Sequence, residues 1–218
     1  MKPTLHYHPL ASYCWKVLVA LYENGTDFER RVIDLGDEAQ RAELRALWPL
    51  CKFPVLRDGE RVVAESSIIV EHLDRRHPGP RPLVPTDPDA SLEVRLWDRI
   101  LDLHVHTPMG EIVLDRLRDA KADTSRARAT ITTAYGMIDA RLAASRWLGG
   151  EDFTLADCSA APALFYAATL EPFAPEHTRL AAYFERLVAR PSVARTLEEA
   201  KPSFVHYPFA SAIPARFR

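Results

Sequence analysis

The sequence predicts an α/β domain at its N-terminal end followed by an all-α helical bundle domain. Three observations carry this prediction. Short apolar strand patterns alternate with helical patterns through the first third of the chain. A cluster of prolines (Pro78, Pro80, Pro82, Pro85, Pro88) then interrupts them. Beyond it the apolar residues recur only at helical spacing. The expected division is 1–77 for the α/β domain, 78–88 for a linker, 89–201 for the helical domain and 202–218 for a C-terminal tail. With 218 residues, 47% of them apolar, the chain can bury a substantial core.

Thr4 to His8 reads as a strand ending at Pro9. Ser12 reads as the N-cap of a helix in which Cys14, Val17, Leu18 and Leu21 share a face, stopped by Asn24-Gly25. Phe28 to Asp34 reads as a second strand. A helix with Leu44, Leu47 and Trp48 on one face follows it and ends at Pro49. Lys52 to Leu56 reads as a strand with an internal proline, Asp58-Gly59 as a hairpin turn, and Arg61 to Ala64 as the return strand. Glu65 and Ser66 open a further helix (Ile68, Ile69, Leu73). The order βαβα then ββα matches the thioredoxin-like layout.

In the second half, Leu92, Leu96, Ile100 and Leu103 begin a long helix that Pro108-Met109-Gly110 is expected to kink. Ile131, Tyr135, Ile138 and Leu142 mark another helix. Thr154 and Asp157 stand three apart as a capping box at the head of a third, with Phe153 and Cys158 spaced as a hydrophobic staple. Leu180, Tyr183, Phe184 and Leu187 form one more amphipathic helix, and Pro191 starts the last. The tail holds Phe204, Tyr207, Phe209 and Phe217, which is too aromatic for a disordered end. It is expected to pack across the domain boundary or the mouth of the active site.

Charge and cysteine content narrow the function. The formal net charge is -2, with 27% charged residues of both signs interspersed. That balance argues against nucleic acid or an anionic membrane as the main partner. No secretory signal is visible, and the apolar run Ala160 to Ala168 is too short to span a bilayer. Cys14, Cys51 and Cys158, odd in number and far apart, suggest neither a disulfide scaffold nor a zinc site. A cytoplasmic setting is expected, and no metal ligands are assigned.

The chemistry concentrates between Lys52 and Ser66. A proline inside a strand cannot donate to the ladder and is often cis, which turns the backbone of Phe53 outward. An extended, peptide-like ligand can pair with such an edge. Lys52 adds a cation, and the helix opening at Ser66 adds unpaired N–H groups for a carboxylate. Together they suit a short, doubly anionic peptide.

The run Trp48-Pro49-Leu50-Cys51-Lys52-Phe53-Pro54-Val55-Leu56, then Glu65-Ser66-Ser67-Ile68-Ile69, resembles the glutathione-binding half of the cytosolic glutathione S-transferase superfamily. That family's pattern is approximately Asn-Pro-x-Gly-Lys-Val-Pro-Val-Leu, then Glu-Ser-x-Ala-Ile; Trp48, Cys51 and Phe53 depart from it. The capping box at Thr154 likewise resembles the one that opens the core helix of the family's helical domain. The bacterial, serine-type (theta- or zeta-like) classes are the most similar. The resemblance implies glutathione as co-substrate, a small electrophile as second substrate, and a homodimer. Lys52 then holds the glycine carboxylate, Glu65 and Ser66 the glutamyl end, and Phe53 with Pro54 the peptide edge. The family's serine-type pattern, approximately Ser-x-x-x-x-Arg-Val, puts Ala11 at the serine position when anchored on Trp15-Lys16-Val17. Ser12, one residue on, is therefore the expected catalytic hydroxyl and Tyr7 the second. Cys14 is expected to be buried, Cys51 is a thiol that could form a mixed disulfide with glutathione, and His104 and His106 could line the electrophile pocket. Because Ala11 replaces the serine, a non-catalytic partner-binding module of the same fold is the alternative.

Overall fold

A computed structural model describes residues 2–218. The first half runs β1 (Thr4–Tyr7), α1 (Ser12–Glu23), β2 (Glu29–Val32), α2 (Glu38–Leu47), β3 (Val55–Asp58), β4 (Arg61–Ala64) and α3 (Ser66–Arg76). The strands form one mixed sheet in the order β2-β1-β3-β4. β1 pairs parallel with β2, Leu5 opposite Arg30, and antiparallel with β3, Leu5 opposite Leu56. β3 and β4 make the hairpin, with Gly59 at φ +64 in its turn.

The strand around the proline is shorter than the sequence suggests. Pro54 precedes β3, which begins at Val55, because a residue without an N–H cannot join the ladder. The Phe53–Pro54 bond is cis.

The second half contains only helices: α4 (Pro88–Leu101), α5 (Thr107–Arg118), α6 (Ser125–Arg141), α7 (Leu155–Ala167), α8 (Thr178–Val188) and α9 (Pro191–Ala200). The regular helix expected to be interrupted at Pro108-Met109-Gly110 is interrupted one turn earlier, between α4 and α5. Residues Asp102–His106 form a π-helical turn. Pro108 has no N–H for the His104 carbonyl and its ring crowds that oxygen, so the ladder widens just ahead of it. The Thr107 hydroxyl donates to the Asp102 carbonyl at 2.9 Å, across the widened turn.

α1 joins the two halves. It packs on α3 on one side and α7 on the other, and Cys14 through Leu21 are all buried. Every residue of α7 is buried. At its head, the Asp157 carboxylate accepts from the Thr154 N–H (2.9 Å), the Leu148 N–H (3.0 Å) and the Tyr183 hydroxyl (2.6 Å). The capping box thus also ties α8 and the preceding loop to α7.

The tail coils into short 3₁₀ turns over Lys201–His206, Ala210–Ala212 and Ala215–Phe217. Phe204, Tyr207 and Ile213 are buried. The Phe204 ring lies 6.2 Å from Trp15 of α1 and 5.7 Å from Phe165 of α7. The tail therefore packs across the boundary between the halves, with the aromatic residues supplying the contact.

Candidate active site

A cavity of about 340 Å³ opens where the loop before β3, the start of α3, the start of α1 and the end of α4 meet. Lys52, Phe53, Pro54, Glu65 and Ser66 all line it. Sequence reasoning named these five from two short runs, Lys52 to Pro54 and Glu65-Ser66, and the hairpin between them brings both runs to the same cavity.

Each element contributes for a local reason. No side chain caps α3, whose first residues Ser66, Ser67 and Ile68 line the cavity, so the helix start there is left uncapped. Glu65, the residue before α3, sits at φ +67 and ψ +118, a conformation that non-glycine residues avoid. Such strain, of order 1–3 kcal/mol, persists where surrounding structure enforces it and concentrates at ligand sites. The Phe53 ring is held by His8, stacked at 5.9 Å.

The two expected hydroxyls fare differently from the binding residues, and neither Ser12 nor Tyr7 is among the lining residues. Ser12 is the first residue of α1 rather than its N-cap; Ala11 holds that place and no side chain caps the helix. The extended backbone at Ala11 leaves Ser12 inside the first turn, so its hydroxyl is not spent on the backbone. Tyr7 is buried on the side of Cys14, Arg30 and Glu199; burial raises its phenol, and those groups act on it next. At the start of α1 the hydroxyl-bearing residue that lines the cavity is instead Tyr13. Its ring packs on His106 at 4.5 Å, and its oxygen makes a long contact (3.4 Å) with the Asp102 carbonyl. Burial, followed by the Asp102 charge, pushes the Tyr13 phenol up to about 12, so it is a neutral donor near pH 7. Sequence reasoning missed Tyr13 because its spacing belongs to the same apolar helix as Cys14 and Val17.

Beneath the cavity lies a buried ionic cluster. Lys16 is fully buried, with its Nζ 2.5 Å from Asp98 Oδ1 and 3.1 Å from Asp102 Oδ2. It donates to the Ser67 hydroxyl at 2.8 Å, and Ser67 donates in turn to Asp98 at 2.7 Å. Arg99 reaches Asp102 at 3.0 Å, and His106 Nδ1 lies 3.4 Å from the same carboxylate. Burial raises the Asp102 carboxyl, but His106 and Lys16 outweigh it and hold it down at about 2. Burial likewise lowers the His106 imidazole, against the raising effect of the Asp102 carboxylate. Asp102, Arg99 and Ser67 are also on the cavity lining, so the cluster forms its floor. A lysine inside the apolar run Cys14 to Leu21 and two aspartates four apart, Asp98 on α4 and Asp102 opening the π-turn, were the signals available in the sequence.

The cysteines and histidines are not at the cavity. Cys14 and Cys158 are buried, and burial pushes both thiols up. Cys51 is half-buried against Ile33, Leu44 and Val55, with its Sγ 3.4 Å from the Arg41 carbonyl. His104 is exposed, and His106 is buried behind Tyr13.

The cavity therefore offers two cations (Lys52, Arg99), two carboxylates (Glu65, Asp102), an uncapped helix start and a neutral phenol. Residues 5–81 match the family model described as the glutathione S-transferase N-terminal domain, and residues 115–186 the one described as its C-terminal domain. The chain belongs to the glutathione S-transferase family. Glutathione S-transferase 3 of Zea mays is 30% identical over 88% of this chain and 92% of its own length. A probable maleylacetoacetate isomerase of Caenorhabditis elegans is 27% identical over 76% of this chain and 79% of its own. A solved glutathione S-transferase of Methylobacterium radiotolerans, in complex with glutathione sulfonate, is 31% identical. It superposes with a TM-score of 0.78 over 90% of this chain and 94% of that one. The fold of this glutathione S-transferase is thus the family's: a four-stranded mixed sheet with its helices, then a helical domain. No helix among the described residues is long and apolar enough to cross a membrane.

Proposed function

We propose that this chain binds glutathione in the cavity and transfers its sulfur to small electrophiles. The observation that carries the reading is the meeting of Lys52, Phe53, Pro54, Glu65, Ser66 and the uncapped start of α3 around one cavity. Glutathione has two carboxylates and one ammonium group, and the cavity has matching charges. Lys52 takes the glycine carboxylate. Ser66 and the α3 N–H groups take the glutamyl carboxylate. Glu65, with Asp102 behind it, faces the ammonium group. The backbone of Phe53 pairs with the peptide between them.

Ser66→Ala is expected to weaken glutathione binding by about 1–3 kcal/mol, the loss of one hydrogen bond to a buried charge. Calorimetric titration measures this directly. An unchanged dissociation constant removes Ser66 from the site, and absent binding heat in wild type removes the reading.

The reaction needs the thiolate, which a free thiol near pKa 8.5 supplies only to a few per cent at neutral pH. Each unit of lowering needs about 1.4 kcal/mol of preferential stabilisation of the anion. The reading gives that task to a hydroxyl at the start of α1: Ser12, whose oxygen caps nothing, or Tyr13, whose phenol is on the cavity wall. Removing the true donor, in Ser12→Ala or Tyr13→Phe, is expected to raise the bound thiol's apparent pKa by about one to two units. Glutathione affinity then stays nearly intact. The rate loss is largest near neutral pH and shrinks as alkali ionises the thiol. Tyr7→Phe is the control that leaves the profile in place. If none of the three moves the pH–rate profile, hydroxyl activation is wrong.

A symmetric homodimer belongs to the same reading. Leu92, Leu96 and Leu103, spaced four and seven apart along α4 and the π-turn, are more than half or half exposed (67%, 50% and 53%), and Ile68 of α3 is 54% exposed. Light scattering of the purified chain checks it: twice the chain mass is expected, and a monomer mass at micromolar concentration contradicts it. A reducing, cytoplasmic setting belongs to the same reading, and the three free thiols support it.

A further inference from the structure

At the far end of α3 from the cavity, Asp58, His72 and His77 converge. His72 Nε2 and His77 Nε2 both lie 2.9 Å from the same oxygen, Asp58 Oδ2. The three ligand atoms are within 4.8 Å of one another, the one such group of His, Cys, Asp and Glu among the described residues. We infer that Asp58, His72 and His77 form a binding site for a divalent transition-metal ion of the zinc class.

The placement is built, not incidental to a mobile surface. Asp58 ends β3, where the hairpin register pairs it with Arg61. His72 is on the penultimate turn of α3, and His77 is its C-cap. Their side chains are only 17%, 9% and 25% exposed respectively, which leaves one side open to water. Two imidazoles and one carboxylate with an open position suit Zn²⁺, Co²⁺ or Ni²⁺, whereas Mg²⁺ and Ca²⁺ prefer all-oxygen sites. Ligands at about 2.0–2.1 Å in tetrahedral geometry stand about 3.4 Å apart. The present separations, 2.9 Å from each imidazole to the carboxylate oxygen and at most 4.8 Å between any two ligand atoms, bracket that spacing.

The local field has two sides. Arg61, Arg75 and Arg76 border His72, which opposes a cation, although Arg75 is paired with Glu71 at 3.2 Å. In favour, the carbonyl end of α3 is at His77, so a cation there meets the negative end of the helix dipole. Occupancy would tie the C-terminal end of α3 to the β3–β4 hairpin, on the same helix whose first turn lines the cavity.

The test uses the full chain freed of chelator and glutathione, in a Cys51→Ser background so that no half-exposed thiol competes. Zn²⁺ titration followed by calorimetry is expected to show one saturable equivalent and a rise in melting temperature. His72→Gln and His77→Gln each keep an amide N–H for Asp58 and are expected to weaken that equivalent by about tenfold or more. Their melting temperature should no longer respond to Zn²⁺. Absent saturable uptake, or equal uptake by wild type and both variants, overturns the site. If the variants do not fold, X-ray absorption at the zinc edge of the loaded Cys51→Ser protein decides. Two imidazoles in the first sphere support the assignment; fewer than two overturn it.

Discussion

Replacing Lys16 by methionine is expected to destabilise the protein by about 3–5 kcal/mol, the typical effect of leaving a buried ion pair with one partner. Methionine keeps most of the volume of the lysine stem, so packing changes little and the effect isolates the charge. The variant leaves Asp98 (2% exposed) and Asp102 (4% exposed) facing each other across the Ser67 hydroxyl. Arg99 remains on Asp102, but Asp98 keeps only the Ser67 and Ser159 hydroxyls. Urea denaturation monitored by fluorescence measures the loss. A wild-type midpoint in the variant would mean that the carboxylates are satisfied without Lys16.

The same cluster predicts a pH dependence of definite sign. Asp102 is held at about 2 in the folded protein, against 3.8 for the unperturbed group. A carboxyl lowered on folding contributes stability that is fully present above the unfolded value and disappears as pH falls through the folded one. Wild type should therefore lose on the order of 2 kcal/mol from this group as pH drops from about 4 to about 2. In Lys16→Met the loss is smaller, because one of the two groups that hold the carboxyl down is gone. A pH series of denaturation curves reads both slopes. Since Asp102 and Arg99 also line the cavity, any fall in glutathione affinity in the variant has to be compared at matched folded fraction.

The second large effect is expected in the tail. Phe204→Ala should cost about 3–5 kcal/mol, the range for emptying a buried phenylalanine site. For a chain of this size that corresponds to roughly 6–20 °C in melting temperature. Phe204 is 4% exposed and touches aromatic rings from both halves, so no single domain can relax to fill the space. Removing residues 204–218 should do more, because it also uncovers the sites of Tyr207 and Ile213 and frees Thr169 from the Tyr207 hydroxyl (2.9 Å). Phe209→Ala, at a half-buried position, is the mild comparison. Glutathione affinity of folded Phe204→Ala should stay near wild type, since no tail residue lines the cavity. Scanning calorimetry giving one melting temperature for wild type and truncation would leave the tail without a structural role.

The sequence by itself determined the order of the elements, the capping box at Thr154 and Asp157, and the cavity residues from Lys52 to Ser66. Each of these depends on neighbours a few residues apart, through periodicity, turn chemistry or a helix terminus, so a linear reading is sufficient. Only the tertiary structure decided the rest. It placed Tyr13, not Tyr7, on the cavity wall, because strand alternation and helix rotation set which face each ring meets. It put Lys16 against Asp102, 86 residues away, and drew Asp58 to His72 and His77 across a hairpin and a helix. Pairings of that kind leave no periodic trace, since any buried lysine needs a carboxylate but nothing local says which one. The interruption before α5 has the same origin in part: Pro108 announces it, while the packing of Tyr13, His106 and Asp102 accompanies its placement one turn earlier, at the π-turn.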